Sequence, residues 1–285
     1  LFKKQIRDRI EIEINKNINA AIGFESISIS LIENFPNLSV NVANFNITNR
    51  APFENDTLVS IGKLSITTSI TDLISGKYHV KSIAINDLYS TVKTNKEGLS
   101  NYNILKETSD SNNVETNEEG GKEGDLYFEI ETYELSNCNL KYSDEVSNTS
   151  AEITQLNHRG NAFLNNDDVT IDTTTDIKEI SMSYDGVRYL NKVSFDWLAA
   201  IKLNLNTQKI VLQENHANLN DIHLFLNGFV QPVTEGFDMD LSFDVEQSKF
   251  KSLLSLIPGA YTSNFETIVA KGALDFKGNV TGIYT

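Results

Sequence analysis

The chain has 285 residues, 40% of them hydrophobic, and carries 39 acidic against 24 basic side chains, a formal charge of −15. That length and apolar content can bury a sizeable core, whereas the charge repels phosphate backbones and a bare anionic membrane surface, which argues against nucleic acid as a partner. The lone cysteine, Cys138, excludes an internal disulfide, and no run reaches the eighteen or so apolar residues of a membrane span.

Phe2, Ile6, Ile10, Ile14, Ile18 and Ile22 recur every four residues, and Gly23 is a natural stop. The spacing predicts an amphipathic helix over 1–22. Lys3, Lys4, Arg7 and Arg9 cluster in its first turns, suited either to water or to lipid head groups. The chain starts without methionine or signal peptide, so a piece of a longer protein is expected.

Residues 23–106 read as a first β module. Phe35-Pro36 precedes a strand in which Leu38, Val40 and Val42 alternate with Ser39 and Asn41. Pro52-Phe53 precedes Asp56-Thr57-Leu58-Val59-Ser60-Ile61, and Leu64, Ile66 and Ile70 share a face beyond it. A turn over 71–77, containing Leu73-Ile74-Ser75-Gly76-Lys77, leads to the strand with Ile83 and Ile85. The module closes on Asn95-Lys96-Glu97-Gly98-Leu99-Ser100-Asn101-Tyr102-Asn103-Ile104-Leu105. Apolar phase slips near Ala43-Asn44 and again near Asn86-Asp87, which predicts β-bulges.

Residues 107–125 hold seven carboxylates among Ser, Asn, Thr and Gly and predict a flexible acidic loop. No calcium-loop spacing occurs in it. From 126 to 285 strand follows strand. Cys138, Leu140 and Tyr142 continue one strand after a bulge, and Cys138 is expected to be buried there. Leu156, His158, Gly160, Ala162 and Leu164 share a face; so do Val169, Ile171 and Ile177, and after a slip Ile180, Met182 and Tyr184. Val193, Phe195, Trp197, Ala199, Ile201, Leu203 and Leu205 alternate, as do Ile222, Leu224, Leu226, Gly228 and Val230. Phe237, Met239, Leu241, Phe243 and Val245 alternate strictly with acidic and polar residues, so one side of each strand is greasy and the other wet. Ser248 reads as an N-cap, with Phe250, Leu253, Leu254 and Ile257 at helical spacing before Pro258-Gly259, which predicts a short helix over 248–257. Leu274, Phe276, Val280 and Tyr284 make a last strand, with Gly272, Gly278 and Gly282 on its apolar side.

The order and spacing of the Phe-Pro, Pro-Phe, Leu-Ile-Ser-Gly-Lys and Asn-Lys-Glu-Gly-Leu-Ser-Asn-Tyr-Asn-Ile-Leu segments resemble the N-terminal module of the AsmA family of bacterial envelope proteins. Leu140 to Asp144 and Leu253 to Tyr261 resemble later segments of that family. The resemblance implies a periplasmic protein of the Gram-negative envelope, anchored to the inner membrane by a preceding transmembrane helix. It further implies a long β-groove concerned with lipid movement or outer-membrane assembly, by kinship with bridge-like lipid-transfer proteins of repeating β-groove modules.

Catalytic constellations are sparse. His79, His158, His216 and His223 are scattered without metal-ligand spacing, and neither a Gly-x-Ser-x-Gly elbow nor a Walker loop is present. Five Asn-x-Ser/Thr triplets follow from an Asn-rich composition. No enzyme activity, cofactor or metal is expected. Two architectures satisfy long one-faced strands: a closed β-sandwich whose apolar faces are core, or one twisted antiparallel sheet curved into an elongated groove. Compact domains usually bury such faces, which favours the sandwich; strand length and repeated bulges, and further the resemblance to AsmA, shift the reading toward the mainly β groove. Its lining would then comprise Leu38, Val40, Val42, Leu64, Ile66, Ile83 and Ile85 in the first module. Trp197, Ile201, Leu224, Leu226, Met239, Leu241, Phe243, Leu274 and Phe276 would line it in the second. The expected ligand is a phospholipid or other acyl chain, with other envelope proteins as further partners. The alternatives are an assembly factor that adds strands to outer-membrane proteins, or a surface adhesin or glycan-binding β-sandwich.

Overall fold

Alternating apolar and polar residues leave every strand with one face that shuns water, and lateral pairing meets the backbone's hydrogen bonds. The computed structural model describes residues 18–31, 35–75, 78–105, 126–165, 167–249 and 271–285. The chain is mainly β. Its strands are β1 (Ala20–Gly23), β2 (Ser26–Ser30), β3 (Asn37–Asn49), β4 (Thr57–Ser69), β5 (Tyr78–Thr94), β6 (Leu126–Asp144) and β7 (Thr149–Asn165), followed by β8 (Asp168–Tyr184), β9 (Val187–Asn204), β10 (Ile210–Leu219), β11 (Ile222–Val233), β12 (Gly236–Lys249) and β13 (Ala273–Tyr284). They form one 13-stranded sheet whose ladder follows chain order from β3 to β13, with β1 and β2 both on the outer side of β3. The described pairings are antiparallel. The sheet is open, not closed into a barrel. Among the described residues each strand packs on its ladder neighbours.

The chain divides into two compact units. The first is Leu1–Ile130 with Leu140–Val146, the second Glu131–Asn139 with Ser147–Thr285.

In the first unit the apolar positions meet row by row. Ile29, Val40, Ile66 and Ile83 lie side by side across β2 to β5, and Ile27, Val42, Leu64 and Ile85 form the next row. On the other face Ser39 and Thr67 are directly paired and buried, their hydroxyls 3.2 Å apart. The predicted phase slips fall at Asn44 and Asp87, both in the left-handed region (φ 50° and 57°). Ala43 faces Lys63 and Phe45 faces Ile61, so Gly62 stands opposite Asn44 and no extra residue enters either strand. The slip is thus a kink shared at one level by three strands rather than a bulge.

The closing segment of this unit is held by asparagines. Asn95 Oδ1 accepts from the amides of Glu97 and Leu99, and Gly98 takes a positive φ of 78°. Asn101, 1% exposed, donates through Nδ2 to Thr91 O and accepts from the Lys93 amide. Its own carbonyl accepts from Asn49 Nδ2. The Asn-rich motif is accounted for as a turn pinned to β3 and β5.

Three expectations need correction. The end of the predicted N-terminal helix is not helical: Ala20–Gly23 is β1, paired with β3, and Ile18 bridges Leu105. Pairing with an existing strand outcompetes helix propensity here although Ala20 and Ala21 favour helix; residues 1–17 lie outside the described residues. Ser248, expected as an N-cap, lies within β12 and is fully buried, its hydroxyl accepting from the His223 amide; residues 250–257, where the helix is expected, lie outside the described residues. The segment at 71–77, expected to be a turn, begins as a short helix, α1 (Ile70–Ile74), with Ser69 Oγ accepting from the Asp72 amide. The acidic segment 107–125 also lies outside the described residues. Cys138 is fully buried, as its place in a strand-like run suggested.

Candidate functional site

Residues directly paired in a ladder share a face, so the registers show which side chains of the second unit stand together. Ala162, Ile171, Ile201, Leu212, Gly228, Leu241 and Val280 form one row across β7 to β13. Leu164, Val169, Leu203, Ile210, Val230, Met239 and Gly282 form the next. On the other side run Gly160, Thr173 and Ala199, continued beyond a bulge by Asn215, Leu226, Phe243 and Gly278. Then come His158, Thr175, Trp197, Ala217, Leu224, Val245 and Phe276, and last Leu156, Ile177, Phe195, Leu219 and Ile222. Leu274 pairs with Ser248 at the end of β13.

The candidate residues Trp197, Ile201, Leu224, Leu226, Met239, Leu241, Phe243 and Phe276 therefore fall on a single face, with Leu274 two residues before Phe276. Leu38, Val40, Val42, Leu64, Ile66, Ile83 and Ile85 share a face within the first unit, Leu38 standing opposite Thr68. Each set is described within its own unit.

No charged residue occurs in the five rows of the second unit. Seven strands at about 4.8 Å spacing and nine residues along each at about 3.3 Å make the face about 29 Å by about 26 Å, roughly 750 Å². That exceeds the few hundred Å² that ordinary monomers leave open. Lateral packing half-buries most of its side chains, but Phe276 keeps 53% and Val280 49% of its surface exposed. Aromatic rings fill the space above two glycines. Phe243 lies over Gly278 and is 5.6 Å from the Phe276 ring, centroid to centroid, and Tyr133 lies over Gly160.

Bulges break the ladders. Glu214, with φ 50°, is the extra residue of β10 between Gln213 and His216 opposite β9, and its amide donates to Asn227 Oδ1. Asn215 beside it is 1% exposed and donates to Ala200 O at 3.4 Å. A second irregularity shifts β8 against β9 between Ile177 and Ile180, and a third lies in β12 between Val245 and Ser248.

The opposite face carries the charged side chains, with Phe163, Leu198 and Ile283 exposed among them. Asp176 and Asp196 are directly paired, and burial, then the hydrogen bond and charge of Asp176, raise the pKa of Asp196. Lys277 bridges Asp244 and also reaches Glu246, and Asp244, then Glu246, raises its pKa. Among the described residues no group of three or more His, Cys, Asp or Glu could hold a metal, and no helix is long and apolar enough to cross a membrane.

One feature of the face was missed in the sequence. His158, Thr173, Thr175 and Tyr133 form a polar island in it. His158 Nδ1 is 2.8 Å from Thr175 Oγ1, Thr173 Oγ1 is 3.4 Å from the same nitrogen, and the Tyr133 ring is 5.3 Å from the imidazole. Burial lowers the pKa of His158 below its usual value. The available signal was the gap in the alternation of β8, where Thr173 and Thr175 stand between Ile171 and Ile177.

No family model, curated protein or solved structure matches this chain. The resemblance to the AsmA family rests on the residues that carry it.

Proposed function

We propose that the chain binds acyl chains on its apolar sheet face and serves lipid movement in a Gram-negative envelope, from the periplasmic side of the inner membrane. The observation that carries this reading is the uncharged, five-row face of the second unit, broader than the apolar patches most monomers leave open. Such a face, curved into a groove, shields methylenes from water at about 0.8 kcal/mol each and needs no specific residue to do so. The acidic opposite face keeps the molecule dissolved and off anionic head groups. The likeness to AsmA supplies the compartment, the anchor and phospholipid as the expected cargo. The role is binding rather than catalysis.

Leu241→Asp tests it. Leu241 lies mid-face between Gly228 and Val280 and is only half-buried, so a carboxylate there reaches water. The expected result is a folded protein that no longer carries phospholipid in native mass spectrometry and lipid extraction. Asp240→Asn on the opposite face should retain it. A wild-type protein that takes up no phospholipid or fluorescent fatty acid overturns the proposal.

A further inference from the structure

We infer that the polar island on the apolar face of the second unit receives the carbonyl end of a bound acyl chain, an ester or other uncharged carbonyl, and so fixes where along the face that chain begins. The inference rests on the acyl-binding reading and adds a position and a chemical class to it.

The island is built by its surroundings. His158 pairs with Thr175 and Gly160 with Thr173, so β7 and β8 place two threonines and an imidazole on two adjacent rows. Gly160 has no side chain, and Tyr133 from β6 occupies that space: a Cβ at Gly160 would stand 2.4 Å from the Tyr133 hydroxyl. The phenol is thereby laid across β7 beside the imidazole, 5.3 Å from it between ring centroids. Thr173 and Thr175 are each 8% exposed, whereas His158 and Tyr133 are half-buried and reachable from the open side.

The donors fit an uncharged acceptor. In the tautomer in which Thr175 donates to His158 Nδ1, the ring proton sits on Nε2, where only the long 3.5 Å contact to Thr173 Oγ1 competes with a ligand for it. The Tyr133 hydroxyl is a second donor, with no hydrogen-bond partner among the described residues. No cation occurs in the surrounding rows to balance a phosphate or carboxylate, so a charged group would be desolvated there without compensation. An ester carbonyl accepts both hydrogen bonds, and the apolar rows around the island take the tail.

The test uses the full chain and two photoreactive monopalmitoylglycerols, one with a diazirine beside the ester and one with it at the tail end. After illumination, peptide mass spectrometry should place the ester-side label on the segments holding Tyr133, His158 and Thr173 to Thr175, and the tail label on other strands of the same face. Labels from both probes spread alike over the face would overturn the inference while leaving acyl binding intact. No labelling by either probe would overturn the acyl-binding reading itself, and this inference with it. Tyr133→Phe removes one oxygen and keeps the packing. It should weaken monopalmitoylglycerol about fivefold, the worth of one neutral hydrogen bond, and leave a diazirine-bearing alkane of equal length unaffected. Equal effects on both probes, or none on either, count against it.

Discussion

A change of apolar phase within a long strand is met in two ways, and the second unit uses both. In the first unit Asn44, Gly62 and Asp87 stand at one level of β3, β4 and β5, and the ladders run through that level without a shift. In the second unit β10 carries an extra residue at Glu214 and β8 one against β9 between Ile177 and Ile180, each moving the register by one, whereas β7 changes phase at Gln155 (φ 52°) with no shift against β8. A slip in apolar alternation therefore signals a backbone irregularity but not its kind. A shared kink needs matching residues in three strands, whereas a bulge needs one residue in one strand and leaves amides such as that of Glu214 to find a side-chain acceptor.

The sharpest test of that contrast is the same substitution in each unit. Gly228 sits opposite the β10 bulge with φ at 125°, and a Cβ there would stand 1.9 Å from the backbone oxygen of Asp240. Gly228→Ala should cost about 3 kcal/mol or more, because backbone must move and the conformation disfavours any side chain. At Gly62 a Cβ would meet the Asp87 side chain at 3.0 Å, which can give way, and no positive φ is involved. Gly62→Ala should cost about 1 kcal/mol or less. Urea midpoints of the two variants check this; equal losses would break the distinction.

The left-handed residues give the next largest effect. Asn44→Val should destabilise by about 1–2 kcal/mol, because asparagine tolerates the left-handed region and a β-branched side chain does not. Asn44→Gly should be close to neutral. If Asn44→Val is harmless, the shared kink is not fixed by its residues, and chemical denaturation will show it.

How far the strands were readable follows from the same physics. Period-two alternation marked β11, β12 and β13 to within a few residues of their ends and β9 from Val193 onward, since each has one wet face and one apolar face. The slips at Asn44 and Asp87 were visible because the apolar parity changes there. The end of the N-terminal repeat and Ser248 misled, because residues 20–22 and 248 carry patterns that helix and strand share, and a neighbouring strand decides between them. The polar island stayed hidden for another reason. Its members come from β6, β7 and β8, and only the register brings Gly160 against Thr173 and under Tyr133. The apolar rows were legible strand by strand; which residues stand beside which was not.

A smaller effect separates the faces opposite the apolar rows. The first unit places the hydroxyls of Ser39 and Thr67 together there, the second the carboxylates of Asp176 and Asp196. Like charges directly opposite in a ladder are unfavourable. Asp196→Asn should therefore raise stability near neutral pH by about 0.2–1 kcal/mol, the range for exposed, screened pairs. A loss of stability would mean that Asp196 is held by an interaction stronger than its repulsion from Asp176.

The smallest expected effect is a dependence on acid that the apolar rows of the first unit do not share. Burial lowers the pKa of His158 from its model-compound value of 6.5. Below that value the unfolded chain takes up a proton that the folded imidazole resists. The contribution of His158 is thus complete above about pH 6.5 and is lost as pH falls through the lower folded value. The groups hydrogen-bonded to or stacked on the ring are Thr173, Thr175 and Tyr133, none of which stabilises an imidazolium as a carboxylate would. Because the ring is partly exposed, solvent screening should keep the effect below about 1 kcal/mol. His158→Gln keeps hydrogen-bonding capacity without the titration. Between about pH 7.5 and about pH 5 the wild type should lose more stability than this variant in urea melts. Amide exchange in acid should rise in β7 and β8 of the wild type relative to the variant, while β3 and β4 respond alike in both. Identical pH profiles for the two proteins would show that the island accommodates a charged imidazole, and that its ring is better hydrated than its place among the threonines implies.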